Sequence, residues 1–283
     1  MIPVVEIGHR AASVLSGSPT GSVIASFRTA VLLLCDDGSI LIVVSPETGW
    51  GPLNMVVPAS TLTGIQRGNR FEVRPDRFVV GETTIMLMGA PVRVCRPDWR
   101  ALTTAARTIA RDVSNEVRRE LRRAWLKTDH LGLEQALSAR GAAVARASAQ
   151  ESNSALEDAV REMCGFGPGL TPAGDDWLAG WLLGLWLLDV RHAERCAESV
   201  MSVASVRTTR LSHAYLECAA AGEADSVWHS FLEAMTRTER DGGASMAIRN
   251  TLARGASSGI AAVTGFFAAL DSATAQEMMT CRP

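Results

Sequence analysis

Residues 165–188 read Gly-Phe-Gly-Pro-Gly-Leu-Thr-Pro-Ala-Gly-Asp-Asp, followed by Trp-Leu-Ala-Gly-Trp-Leu-Leu-Gly-Leu-Trp-Leu-Leu. The second half, Trp177–Leu188, carries no charge and is apolar all round. A helix with no polar stripe lies in the centre of a domain. Its 12 residues fall short of the roughly 20 that a membrane span needs. The first half supplies the start of that helix. Thr171 is expected as its N-cap, with Pro172 at the first helical position, where a missing N–H costs nothing. Gly167, Gly169 and Gly174 let the backbone approach a ligand closely. Free N–H groups and the positive dipole end then suit an anion.

Asp175 and Asp176 follow at once. They point about 100° apart on a helix, and acids at the head of a central helix are costly to bury unless paired, hydrogen-bonded or metal-bound. They can merely complement the dipole. Beside three glycines and a Thr they read as functional, and Asp175, Asp176 and Thr171 are the candidate catalytic set. Replacing either acid with Asn is expected to spare stability and remove function.

The loop is not a Walker A loop, because no Gly-Lys-Ser/Thr follows. It is not a dinucleotide fingerprint, because position 170 is Leu and the preceding segment reads helical. Gly180 and Gly184 are spaced for close helix packing. Two further segments support an anion site. Arg207–His213 opens a helix with Thr209, Arg210 and Ser212 near its start, which suits a phosphate or carboxylate as well as an ordinary cap. Gly255-Ala-Ser-Ser-Gly259 matches the nucleophile-elbow pattern, which demands a strand before the Ser. The flanks read helical, so Ser257 and Ser258 are expected to cap a helix–helix turn. Trp50, between Gly49 and Gly51, is either a ligand platform or part of a barrel-closing turn.

Working outward, residues 1–98 read as β. Short runs recur at Ser22–Arg28, Ala30–Cys35, Ile40–Ser45, Asn54–Pro58, Arg70–Val73, Phe78–Val80, Thr83–Met88 and Val92–Cys95, separated by turn signals. Residues 99–283 read as helical. A stripe Ala105, Ile109, Val113, Val117, Leu121, Trp125 opens them, with Arg107, Arg111, Arg118 and Arg122 on another face. The expected fold class is therefore α+β: an antiparallel β barrel or sandwich, then a mostly helical domain carrying the loop at 165–176 and a central buried helix.

The 283 residues are 47% hydrophobic and 20% charged, with a net charge of −2. That balance argues against a nucleic-acid or membrane-surface partner. Lys127 is the single lysine against 27 arginines, which removes most Schiff-base chemistry. Six scattered cysteines with no Cys-x-x-Cys pair argue against a zinc cluster, and with no secretory signal they suit a cytoplasmic protein. The five histidines show no metal spacing, and no cofactor is expected beyond a possible Mg²⁺ on Asp175 and Asp176.

GFGPGLTPAGDDWLAG resembles the signature of the AllH family, associated with bacterial oxamate carbamoyltransferase. Three weaker stretches are similar in the same order: SFRTAVLLL with the GWGPLNMVVP loop, TTRLSHAYLECAAAGE, and GASSGIAAVTG. The resemblance implies carbamoyl transfer between carbamoyl phosphate and oxamate in purine (allantoin) catabolism, by a subunit that works with companion subunits. The motif positions it carries over are Gly167, Gly169, Thr171, Pro172, Gly174, Asp175, Asp176, Thr209 and Ser212; with Leu170, Arg210, Ser257 and Ser258 from the residues themselves, the expected anion-binding set beside the catalytic one is Gly167, Gly169, Leu170, Gly174, Thr209, Arg210, Ser212, Ser257 and Ser258. Ala173 stands where the family favours Ser, and Ile260, Ala261 and Ala262 stand where an acid is expected. Two alternatives stay open: a non-catalytic subunit that holds an anion or nucleotide, and a Mg²⁺-dependent hydrolase.

Overall fold

The computed structural model describes residues 2–106, 111–128, 131–150, 152–236 and 243–280. The class is α+β. The chain forms two compact units. One comprises the residues through Arg96 together with Ala224–Ser226; the other comprises Pro97–Glu223 and the residues from Val227 onward.

In the first unit ten strands form one curled half-barrel sheet. They are β1 (Ile2–Pro3), β2 (Glu6–Gly8), β3 (Thr20–Ser26), β4 (Ala30–Cys35), β5 (Ile40–Val44), β6 (Asn54–Val56), β7 (Arg70–Arg74), β8 (Arg77–Val80), β9 (Thr83–Met86) and β10 (Val92–Arg93). Helix α1 (His9–Ser16) and a 3-10 helix (Ala59–Gly64) accompany them. The spatial order is β1-β9-β8-β7-β3-β4-β5-β6-β2-β10. The run from β9 to β5 is antiparallel throughout, as the alternating patterns suggest. The sheet as a whole is mixed, because β1/β9, β2/β10 and β5/β6 pair parallel. The loop after β5 carries the chain back along that strand, which a tight hairpin cannot do.

Period-2 burial builds the sheet core. In β7, Phe71 and Val73 point inward while Arg70, Glu72 and Arg74 point out. They join Val23, Leu33, Val43, Phe78, Val80 and Ile85 in one cluster, with Phe71 and Phe78 stacked at 5.3 Å. The Trp50 loop closes on its own unit. Ser226 N–H donates to the Trp50 carbonyl at 2.9 Å. The Arg93 guanidinium lies 4.8 Å from the Trp50 ring and pairs with Glu6 at 2.6 Å.

The second unit contains α2 (Trp99–Ala106), α3 (Arg111–Leu126), α4 (Leu131–Ala149), α5 (Asn153–Met163), α6 (Ala173–Leu188), α7 (Val190–Arg207), α8 (Arg210–Ala220), α9 (Ser226–Thr236, starting in the first unit), α10 (Gly243–Leu252) and α11 (Ser258–Thr280). The stripe expected through Ile109 spans α2 and α3, and Arg107 and Ile109 lie outside the described residues. Arg118 is not a free basic surface group: it pairs with Asp271 through its two terminal guanidinium nitrogens and lies over Phe267 at 4.9 Å.

Helix α6 is the axis of this unit. Trp177, Leu178, Trp181, Leu182 and Leu187 are at most 1% exposed. It packs on α11 at backbone contact. A Cβ on Gly180 would stand 1.8 Å from the Ala262 carbonyl oxygen, and one on Gly265 would stand 1.9 Å from that of Trp177. Among the described residues no helix is long and apolar enough to cross a membrane, and the five cysteines described are buried and outside any disulfide.

Candidate functional site

The loop at 165–172 owes its path to glycines in the left-handed region. Gly165 and Gly167 have φ of +73° and +106°. A side chain at Gly165 would also meet the Arg207 carbonyl oxygen at 2.6 Å. Phe166 is anchored under the Arg140 guanidinium, 4.0 Å from its ring.

Helix α6 starts one residue later than the sequence suggests. Pro172 is the N-cap and no side chain caps the helix. Thr171 is not the cap; its hydroxyl instead meets the Ser258 hydroxyl at 3.2 Å. The reason is the loop's own backbone. The Phe166 carbonyl folds back to accept the Gly174 N–H at 2.8 Å, and the Pro172 carbonyl accepts from Asp175 and Asp176. The head of α6 is therefore partly satisfied from within, so the free N–H groups expected there are fewer than the sequence suggests.

The two acids behave differently. Asp175 is 2% exposed. Its Oδ1 accepts the Gly165 N–H at 2.8 Å, and its Oδ2 accepts the Thr208 hydroxyl. It clasps the loop to the start of α8. Burial first, then the Asp175 charge and a hydrogen bond to it, push the neighbouring Cys164 thiol well above its ordinary range, so that thiol stays protonated. Asp175→Ala removes both acceptor oxygens and leaves the Gly165 N–H and the Thr208 hydroxyl without this partner, whereas Asn can still accept from Gly165 and donate to Thr208. We expect a loss of about 1–3 kcal/mol in chemical denaturation. An unchanged midpoint would refute the clasp.

Asp176 keeps one carboxylate oxygen, Oδ2, buried without a hydrogen-bond partner. Burial drives its pKa from the ordinary 3.8 up to about 7. The Asp175 charge adds to the rise, while a hydrogen bond from Ser258 and the charge of Arg254 oppose it. Desolvation wins over both favourable partners. A carboxyl near neutrality can both accept and return a proton.

Three helix N-termini meet around these acids. The Thr171–Ser258 contact brings the head of α6 to the head of α11. The Thr209 hydroxyl, which caps α8 by accepting the Ser212 N–H at 3.0 Å, also donates to the Leu170 carbonyl at 2.7 Å. Each such terminus carries roughly half a positive charge.

Among the residues expected to bind, Leu170 and Gly169 are exposed and Gly167 lies against the Ala173 N–H. Gly174 is packed on the Met163 carbonyl, where a Cβ would stand 2.0 Å away. Thr209 is a cap, Arg210 is exposed at the first position of α8, and Ser212 is buried with its Oγ unpartnered. Ser257 accepts the Ala261 N–H through its carbonyl, and Ser258 is the first residue of α11. Helix α10 precedes this turn, so no elbow strand exists there.

Sequence reasoning did not pick Thr208, Cys164 or Arg254 for the site. Only Thr208 left a trace, since either Thr208 or Thr209 could have capped that helix and Thr209 does so. For the Mg²⁺ reading, Asp175 spends both oxygens inside the protein. Among the described residues no group of three or more His, Cys, Asp or Glu is placed to hold a metal ion.

The family described as oxamate carbamoyltransferase subunit AllH matches residues 163–270. That stretch runs from the last residue of α5 into α11 and contains the loop, both acids and their partners Thr208, Arg254 and Ser258, though not Arg140. No solved structure matches the chain.

Proposed function

We propose that this protein is a carbamoyltransferase subunit, with its reaction site at the head of α6. The observation that carries the reading is that three sequence-distant segments are joined at the head of α6, by Thr208 on Asp175, Thr209 on the Leu170 carbonyl and Ser258 on Thr171, where Asp176 keeps an unpartnered Oδ2. The match of residues 163–270 to an oxamate carbamoyltransferase subunit family supports the same reaction. The donor is carbamoyl phosphate and the acceptor oxamate, giving oxalurate and phosphate in purine catabolism in the cytoplasm. Companion subunits complete the enzyme, and the helical domain (residues 99–283) carries the chemistry.

The residues have separable roles. The N-termini of α6, α8 and α11 attract the phosphate, with Gly167, Gly169, Leu170, Gly174, Thr209, Arg210, Ser212 and Ser257 shaping the approach. Holding donor and acceptor together supplies much of the rate. Asp176 takes a proton from the acceptor nitrogen, and Thr171 and Ser258 orient its carboxyl. Asp175 holds the loop that frames them.

The test is formation of oxalurate by the full chain, purified with its co-purifying subunits, from carbamoyl phosphate and oxamate. Acceptor-dependent product is expected. Binding of carbamoyl phosphate without product would leave a binding subunit and overturn the transferase reading.

A further inference from the structure

We propose that the cavity between the end of α4 and the heads of α5 and α7 is a second binding site, which takes a small organic acid: one carboxylate or phosphate group on a short carbon chain. The site lies apart from the head of α6 and does not depend on the reaction proposed there.

The cavity holds about 250 Å³, close to the lower end of ordinary small-molecule pockets. Its polar lining is Ser148, Ser152, Asn153, His192, Arg195 and Cys196. Among the described lining residues Arg195 is the one charged side chain, and none is acidic. Arg195 Nη2 donates to His192 Nδ1 at 3.0 Å. A guanidinium has no acceptor, so Nδ1 accepts and the neutral ring carries its proton on Nε2. That nitrogen lies 3.7 Å from Cys196 Sγ. Ser152 caps α5 by accepting the Ala155 N–H at 3.5 Å. The Asn153 and Ser154 N–H groups stay outside the helical ladder, at its positive end. A guanidinium, an imidazole N–H and a helix head thus line one cavity without a carboxylate, which selects an anion. Ala147 and Leu156, both buried, give it an apolar wall, which suits a few carbons beside the charged group.

A soft metal ion is the competing occupant, because His192 and Cys196 stand one helical turn apart with their donor atoms close. The protons argue against it. The ring nitrogen nearest the sulfur carries one, and burial outweighs the Arg195 charge and pushes the Cys196 thiol up to about 12. A metal needs both donors deprotonated, and the guanidinium beside them repels a cation. The cavity is also remote from the α6 head. It takes its lining from the N-terminal ends of α5 and α7, whereas the loop at 165–172 and Thr208 follow their C-terminal ends. The 11 residues of α5 span about 16 Å.

NMR of the full chain with labelled histidine reads the site through the His192 ring, whose resonance is identified by its loss in His192→Gln. Butyrate and butyl phosphate are titrated separately. At least one should shift that resonance to saturation, and the tighter of the two names the head group. Butylamine, of the same length and opposite charge, should leave it in place. Arg195 is exposed, so Arg195→Gln should fold as wild type and weaken the tighter probe by roughly tenfold or more. Asp176→Asn, at the α6 head, should leave the shift unchanged. The proposal is overturned if neither anion shifts the ring, if Arg195→Gln binds as tightly as wild type, if Asp176→Asn removes the shift, or if Zn²⁺ saturates the site and the anions do not. Loss of carbamoyl transfer with an intact His192 shift would strike only the reading of the α6 head.

Discussion

Gly180→Ala is expected to lower the stability of this protein by roughly 3–5 kcal/mol, among the largest effects a single methyl group produces. On an isolated helix the same change would stabilise by up to about 1 kcal/mol, because Ala is the better helix former. Here the new Cβ would stand 1.8 Å from the Ala262 carbonyl oxygen. That neighbour is backbone of α11, so no flexible side chain can yield. The two helices must separate, and their spacing is also set from the opposite side by Gly265 against the Trp177 carbonyl. Separation opens voids beside Trp177 and Trp181, which stack at 6.1 Å and are buried. Such a loss is a large share of the ~5–15 kcal/mol that holds a domain folded. Denaturant melting checks it, and a midpoint equal to wild type would disprove the backbone contact.

Asp176→Asn is expected to abolish carbamoyl transfer and at the same time stabilise the fold above neutral pH. The sign follows from the raised carboxyl. The unfolded chain releases this proton near the ordinary carboxylate pKa of 3.8, whereas the folded chain holds it to about pH 7. Between those values the folded state binds more protons, so stability from this group falls as pH rises. Above about pH 7 the cost is constant, up to about 4 kcal/mol. Asn carries no charge and escapes it. The melting temperature of the variant should exceed wild type at pH 8 and match it near pH 4. Equal melting temperatures at both would mean that the carboxyl is not held at raised pKa. Retained transfer would remove Asp176 from the chemistry.

The central helix was legible from its sequence because Trp177–Leu188 admits no polar face, and the helical neighbours from α4 to α11 follow from local periodicity. The head of α6 was misread by one residue. The acceptor for the Gly174 N–H is the carbonyl of Phe166, eight residues back, and no capping rule looks for it there. The strands β1 and β2 are two and three residues long, too short to show a period.

The site was half legible. Glycines, Thr171 and the acid pair stand in one stretch and mark it. The split between the acids did not, because it depends on partners far along the chain: Thr208 for Asp175, and Ser258 and Arg254 for Asp176. Ser258 itself looked like a turn cap in a chance motif. Only packing of α11 on α6, dictated by glycines, brings its hydroxyl to Thr171.

The most direct test follows the Asp176 carboxyl by carboxyl-carbon NMR through a pH titration, with and without carbamoyl phosphate. The midpoint should lie near 7 in the free chain and move when the donor binds. An ordinary carboxylate midpoint, indifferent to the donor, would contradict the site.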